Sequence, residues 1–195
     1  MEFRIKNTEV FGYERAVKSS GNPMRTVIET SPIDEKDIKR AINLGTTKGG
    51  EGHDNFLKGI IVQLDLTAPL FFWKQAQRYH WFDFVSSQST MHSLLKFDVS
   101  SQCVGSTNPR VISVIDELVA EYLAMDIDNK ERATKWREII ASLPSGFCLS
   151  ATMTTNYQQL KTMYFQRKHH KLEEWISFCS WCETLPHFLE LVRKD

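Results

Sequence analysis

The chain is 195 residues long, 42% of them apolar, and its 24 lysines and arginines balance its 24 aspartates and glutamates. This neutrality gives no electrostatic reason to expect duplex nucleic acid as a partner, because such binding depends on many uncompensated Lys and Arg contacts. The first residues lack a signal-peptide pattern and no apolar run reaches the ~18 residues of a membrane helix, so no membrane partner is expected either.

In the first half of the chain, strand and helix patterns alternate. Residues 2–13 alternate weakly and predict an edge strand. Ser31 as cap and Pro32 as first helical residue predict a helix that ends at Gly45. After a polar glycine loop, residues 59–67 alternate most clearly and predict a strand.

Pro69 then opens a helix rich in aromatic residues, predicted over residues 68–80, and the polar run 86–90 predicts a turn. From Pro109 onward the pattern is almost wholly helical. It predicts a helix with apolar residues at spacings of three and four, a second near 129–142, a long helical segment over 150–182 and a short one after Pro186.

These elements predict an α+β fold, in which a small antiparallel or mixed sheet is flanked by a dominant set of helices. No stretch is rich enough in Pro, Gly or Ser to act as a linker, so we predict one domain over residues 1–195.

The cysteines are Cys103, Cys148, Cys179 and Cys182, which are too few and too scattered for a disulfide framework and indicate a reducing cytoplasm. The last two have the spacing of a redox or zinc motif, yet they lie within an apolar helical pattern and no second pair completes a tetrahedral site. Buried structural thiols are the favoured interpretation, and no metal site is expected.

A first candidate cluster lies near the C-terminus. Its members follow one another at spacings of 4, 3, 4, 3 and 4, which predicts one helix face: Asn156, Leu160, Met163, Arg167, His170 and Glu174. Mixed faces of this kind occur beside polar ligand pockets. They also occur where an arginine snorkels or pairs with a carboxylate at a subunit contact, and the spacing alone leaves both interpretations open.

A second cluster is the cationic segment 74–80 at the end of the aromatic helix, followed by the Ser/Thr/Gln turn. A cationic helix end beside hydroxyl and backbone N–H groups suits a phosphate or an anionic ring. Alternatively, Arg78 only satisfies the last carbonyls and the dipole of the helix. His92 and the loop residue His53 are ambiguous on their own. The sequence contains no Walker, GxGxxG, HExxH or GxSxG motif.

Together these segments resemble the flavin-dependent thymidylate synthases. GHDNFLKGIIVQLDLTAPLFFWKQAQRYH resembles that family's loop histidine, strand, Ala-Pro and Arg-Gln-x-x-Arg-His-Arg helix. LPSGFCLSATMTTNYQQLKTMYFQRKHHKLEEWI resembles its Leu-Pro turn, with an Asn twelve residues after the Pro and an Arg eleven residues after that Asn. The resemblance covers residues from about 50 to 180.

The resemblance implies a homotetramer that binds FAD at its subunit interfaces and transfers a one-carbon unit from methylenetetrahydrofolate to dUMP, with NADPH as the reductant. By position, the implied catalytic residue is Arg167, set against the pyrimidine. The implied cofactor-binding residues are His53, Arg78, His80, Asn156 and His170. The implied substrate-binding residues are Gln75, Ser87, Gln88, Ser89, His92, Ser150 and Arg167.

The departures from the family pattern leave two functions open. The family's Arg-His-Arg is Arg78-Tyr79-His80, and two phosphate-binding arginines are replaced by Met91 and Ser150. Each lost charge-assisted hydrogen bond is worth about 1.5–3 kcal/mol. The chain is therefore expected to be either a flavin enzyme with a re-tuned nucleotide site or a non-catalytic binding or regulatory protein on the same oligomeric fold.

Overall fold

The computed structural model describes residues 1–193 and contains a four-stranded antiparallel sheet. The strands are β1 (Arg4–Phe11), β2 (Ile61–Pro69), β3 (Asp83–Ser87) and β4 (Cys148–Asn156), in the order β1-β2-β4-β3. The predicted α+β class is confirmed, and so is the edge position of the first strand. In β2, Val62 and Leu64 are buried while Ile61 and Gln63 are exposed, as the alternation predicts.

The helices of the described chain are α1 (Tyr13–Ser19), α2 (Glu35–Gly45), α3 (Leu70–Ala76), α4 (Thr90–Ser93), α5 (Val99–Gln102), α6 (Pro109–Ala124), α7 (Arg132–Ser142), α8 (Tyr157–Arg167), α9 (Glu173–Glu183) and α10 (Phe188–Val192). Short 3-10 turns occur at Asn22–Met24, Asn55–Gly59 and Leu94–Lys96. None of the helices in residues 1–193 is long and apolar enough to span a membrane.

The chain forms two compact units. The first unit comprises Met1–Arg4, Leu66–Ala76 and Ser86–Ala151; the second comprises Ile5–Asp65, Gln77–Val85 and the described chain from Thr152 onward. That all residues form one domain stays a prediction.

The core of the first unit lies where α6 and α7 pack together. Its buried members are Leu94, Val99, Cys103, Ile115, Ile139 and Phe147. Asn108 begins α6 by accepting a hydrogen bond from the backbone N–H of Arg110, and Pro109 takes the first helical position. The predicted helices after Pro109 and near 129–142 are confirmed.

The core of the second unit is aromatic. The rings of Trp175 and Phe178 meet edge to face at 5.5 Å, and those of Tyr157 and Phe188 at 5.2 Å. Edge-to-face contacts of this kind add about 0.5–1.5 kcal/mol beyond the burial of apolar area. The first contact lies within α9, and the second joins α8 to α10, which confirms the short helix predicted after Pro186.

The start of α2 corrects the sequence analysis. The helix begins at Glu35 and not at Pro32, because Asp34 and Asp37 form a reciprocal capping box. Its end at Gly45 is as predicted. A Cβ on Gly45 would lie 2.2 Å from the carbonyl oxygen of Leu191, so the close approach of α10 requires glycine there.

The aromatic helix and the turn after it also differ from the prediction. Helix α3 ends at Ala76 with Lys74 in its last turn, so Arg78 and His80 lie in the connection after the helix and not at its end. Residues 86 and 87, predicted as part of a turn, belong to β3. The backbone N–H of Gln88 donates to the carbonyl of Ser150 at 2.9 Å, and this pairing overrides the turn composition of the segment.

The long helical segment predicted over 150–182 is wrong. Residues up to Asn156 form β4, where the β-branched side chains of Thr152, Thr154 and Thr155 favour a strand. Helix α8 then ends at Arg167, and α9 begins at Glu173. The six residues predicted to share one helix face therefore do not share it.

Candidate functional site

A polar cavity of about 490 Å³ lies in the second unit. Its lining residues come from the connection after α3 and from α8: Arg78, Tyr79, His80, Gln159, Thr162, Gln166 and Arg167. No carboxylate is among these lining residues. The volume lies within the ~300–1,000 Å³ common for small-molecule sites, and the charge of the lining suits an anion.

Arg167 is held in a fixed orientation at this cavity. Its Nε donates to the hydroxyl of Tyr79 at 2.6 Å, and that hydroxyl donates in turn to Oε1 of Gln166 at 3.0 Å. The guanidinium carbon lies 4.6 Å from the ring centroid of Trp175 and 5.4 Å from that of Tyr79. Contacts between a guanidinium and aromatic faces are worth about 0.5–2 kcal/mol, so the hydrogen bond and both rings favour the same side-chain position.

The polar side chains of Arg78 and His80 line the same cavity. Both are exposed, and within residues 1–193 the guanidinium of Arg78 has neither a hydrogen bond nor an ion pair. The ring of His80 meets Trp81 edge to face at 5.0 Å. The structure thus brings together Arg78, His80 and Arg167, three of the residues that the sequence analysis singled out.

Asn156 and His170 make structural contacts outside this lining. Oδ1 of Asn156 accepts from the backbone N–H of Gln159 at 2.9 Å and caps the N-terminus of α8. Nδ1 of His170 accepts from the backbone N–H of Leu172 at 3.1 Å. Partial burial, with a smaller contribution from the charge of Arg167, lowers the pKa of His170, which favours the neutral ring that this contact requires.

His53 lines a different cavity of the second unit. That cavity has a volume of about 570 Å³, and its walls include Ser20, Arg40, His53 and Phe56. The polar lining and the aromatic wall suit a ligand with both polar and planar parts. These two cavities of the second unit have separate linings, and His53 does not belong to that of Arg167.

The predicted substrate-binding residues of the first unit are Gln75, Ser87, Gln88, Ser89, His92 and Ser150. Among them, Gln88 and Ser150 bind each other, since the backbone N–H of Ser150 donates to Oε1 of Gln88 at 2.9 Å. The hydroxyl of Ser150 is 2.7 Å from that of Thr67. The position where the resemblance led us to expect a phosphate-binding arginine thus carries a serine engaged within the unit.

Five residues around Arg167 had no predicted site role: Tyr79, Gln159, Thr162, Gln166 and Trp175. Three of them, Gln159, Thr162 and Gln166, form a polar stripe at spacings of three and four on α8, a signal that was present in the sequence. Trp175 gave no such signal, because its approach to Arg167 depends on how α9 folds back against α8.

The chain has the fold of the flavin-dependent thymidylate synthases. The enzyme ThyX from Helicobacter pylori, solved in complex with FAD and dUMP, superposes with a TM-score of 0.70 over 99% of this chain and 98% of its own, at 14% sequence identity. A second structure of that enzyme with the same two ligands gives a TM-score of 0.70 at 15% identity, over 99% and 97% of the two chains.

A related fold is that of PolB, a UMP/dUMP methylase from Streptomyces cacaoi bound to 5-Br dUMP. It has a TM-score of 0.65 over 98% of this chain and 92% of its own, at 13% identity. No protein-family model matches the sequence, and none of the curated proteins is similar to it. At these identities, the likeness establishes the fold.

Proposed function

We propose that this chain is an FAD-dependent enzyme that transfers a one-carbon unit to a pyrimidine deoxynucleotide, in the manner of the conversion of dUMP to dTMP. Methylenetetrahydrofolate is the proposed one-carbon donor and NADPH the proposed reductant. The observation that carries the proposal is the cavity of the second unit, where Arg78, His80 and Arg167 meet and no carboxylate is among the described lining residues. The neighbouring folds, which hold FAD, dUMP or 5-Br dUMP, support the same ligand classes.

The residues of the cavity fit an anionic cofactor with a planar ring system. The guanidinium of Arg78, which is exposed at the cavity, suits a diphosphate oxygen, since charge-assisted bonds to phosphate are among the stronger polar contacts. His80 offers a ring nitrogen beside it. We propose that Arg78 and His80 contact FAD in this cavity. His53, Asn156 and His170, which are not among its lining residues, are also proposed to contact the cofactor. When bound and reduced, FAD supplies the electrons for the transfer.

Arg167 has the proposed catalytic role. A pyrimidine becomes nucleophilic at C5 when negative charge is placed on its carbonyl oxygens, and a cation fixed beside such an oxygen stabilises that charge. The contacts of Arg167 with Tyr79 and Trp175 fix its guanidinium before a ligand arrives, so little reorganisation is needed. Because Arg167 lines the cavity, its wall carries a positive charge held in one place.

A homotetramer in the cytoplasm is the proposed assembly and location. Exposed apolar side chains on α6, among them Val114 and Leu123, supply surface that a second copy would cover. The four cysteines are free thiols, as is usual in a reducing compartment.

The proposal is tested by the visible absorption spectrum of the purified protein, before and after FAD is added. We expect bound oxidised flavin in both samples, and release of tritium from dUMP labelled at C5 once a reductant and the folate are present. Arg78→Ala should weaken FAD binding, while Arg137→Ala, which removes an exposed arginine of α7, should not. A colourless protein that neither binds FAD nor releases tritium contradicts the proposal.

A second candidate function is a non-catalytic binding or regulatory protein on the same oligomeric fold. The observation that favours it is the engagement of Ser150 with Thr67 and Gln88, because this position has no cation for a nucleotide phosphate. It predicts an oligomer that is indifferent to FAD. Measured turnover of any deoxyuridine or deoxycytidine nucleotide would exclude it.

A further inference from the structure

The ammonium group of Lys161 on α8 is buried and makes three hydrogen bonds. Lys161 is 5% exposed, and its Nζ donates to the carbonyl oxygen of Gly45 at 2.7 Å, to that of Thr47 at 2.8 Å and to Oδ2 of Asp54 at 2.6 Å. All three of its protons therefore have an acceptor. These acceptors lie at the end of α2 and at both ends of the glycine loop that follows it.

Asp54 is held from the same helix through its other oxygen. Its side chain is buried, and Nε2 of Gln158 donates to Oδ1 at 2.9 Å. Gln158 and Lys161 are three residues apart, so one face of α8 binds both oxygens of a single carboxylate. Buried charges are costly unless they are paired and hydrogen-bonded, and here the pairing is complete.

The middle of the loop between these two anchors is loosely packed. Gly49 and Gly50 have no heavy atom within 4 Å of a Cβ built on them, and Gly50 and Gly52 have positive φ angles of 95° and 80°. His53, which lines the cavity of about 570 Å³, directly precedes the anchored Asp54. The orientation of His53 at that cavity thus depends on where Asp54 is fixed.

We propose that Lys161 is a positioning residue, whose ammonium holds both ends of loop 46–54 and thereby sets His53 at the cavity that it lines. Lys161 is not among the lining residues, so it acts through the loop and not through a ligand. The consequence for FAD binding rests on the proposed function, in which His53 contacts the cofactor.

The first test replaces Lys161 by methionine, which keeps the length of the side chain and removes the charge and the donors. Without FAD, we expect the amides of residues 46–54 to exchange hydrogen at least about tenfold faster and the His53 imidazole resonances to shift. With FAD, we expect an affinity lower by at least about tenfold, from the titration of flavin fluorescence. Lys58→Met, an exposed lysine near the loop, should change none of these.

The second test separates positioning from general stability. In the double variant Lys161→Met/Asp54→Leu no buried charge is left unpaired, so thermal stability should return towards that of the parent chain. We expect loop exchange to stay fast and FAD affinity to stay low, because the carbonyls of Gly45 and Thr47 still lack their donor. Recovery of slow exchange together with stability would overturn the proposal.

The two proposals can fail separately. If the parent chain binds no FAD, the proposed function fails, and the exchange of loop 46–54 and the His53 resonances still decide the role of Lys161. Unchanged exchange and unchanged His53 resonances in folded Lys161→Met overturn that role, whether or not FAD binds.

Discussion

Tyr79 determines how Arg167 is presented to its cavity. The residue is 8% exposed, and its hydroxyl joins Arg167 to Gln166 while its ring meets Trp175 edge to face at 5.9 Å. The resemblance pointed to a lost histidine at this position. In the structure the tyrosine supplies a neutral hydroxyl and an aromatic face to the guanidinium, so the position contributes to the site in another way.

Tyr79→Phe removes the hydroxyl and keeps the aromatic ring, so it should separate the contributions of these two groups. Because a hydrogen bond to a charged group is worth about 1.5–3 kcal/mol, we expect the free energy of unfolding to fall by about 1–2 kcal/mol and the affinity for dUMP to fall several-fold. Urea unfolding and titration calorimetry measure the two effects. Tyr122→Phe is the control, since Tyr122 also has an arginine over its ring, at 4.2 Å, and is not among the residues that line the cavity. An unchanged dUMP affinity would reduce Tyr79 to a structural residue.

At the scale of elements, α8 is the helix on which the candidate site depends. It contributes Gln159, Thr162, Gln166 and Arg167 to one cavity. Lys161 on the same helix binds Asp54 and so anchors loop 46–54. Its first turn is capped by Asn156, whose side chain is 7% exposed. The resemblance assigned Asn156 to the cofactor, whereas the structure gives it a capping contact that any such helix would need.

Asn156→Ala should destabilise the chain by about 0.5–2 kcal/mol, because the backbone N–H of Gln159 loses its acceptor. We also expect weaker ligand binding, since the first turn of α8 carries Gln159. Asn108→Ala removes the matching cap of α6 in the first unit and should cost stability without changing ligand binding. Thermal unfolding and FAD titration of both variants make the comparison, and equal effects on binding would speak against a special role of α8.

At the scale of the whole molecule, a buried carboxylate links stability to pH. Asp37 is 2% exposed and accepts from Nζ of Lys18 at 2.8 Å, from Arg25 at 3.0 Å and from Arg40. The ammonium of Lys18 and then the guanidinium of Arg40 hold the pKa of Asp37 well below its usual range. Since the unfolded chain binds this proton more readily, Asp37 stabilises the fold above its ordinary pKa of about 4 and loses that contribution as the pH falls below it.

Asp37→Asn should therefore flatten the pH dependence of stability below about pH 4 and should destabilise the chain at neutral pH, because three cations lose their shared partner. Urea midpoints measured across this pH range test both effects. Asp128→Asn, which changes an exposed carboxylate, should leave the curve of the parent chain unaltered. A parallel shift of the Asp37→Asn curve, with the same slope in acid, would contradict the assigned role.

Strands and helix ends that depend on neighbouring residues could be predicted from the sequence. The alternation in β2, the start of α6 at Pro109 and the glycine end of α2 each depend on residues within one or two turns of chain, and each agrees with the structure. The resemblance assigned Arg78 and His80 to the cofactor and Arg167 to the pyrimidine, and the structure has all three in the lining of one cavity.

Other features depend on contacts between residues that are distant in sequence. These contacts set where the chain departs from its local pattern and which side chains orient the residues of the site. Residues 148–156 form a strand because their backbone pairs with β2 and β3, which are distant in sequence. Tyr79 and Arg167 are 88 residues apart, and Lys161 and Asp54 are 107 residues apart. Hydrophobic periodicity reports which side of an element is buried, but a hydrogen bond between distant residues depends on the path of the whole chain, which periodicity does not contain.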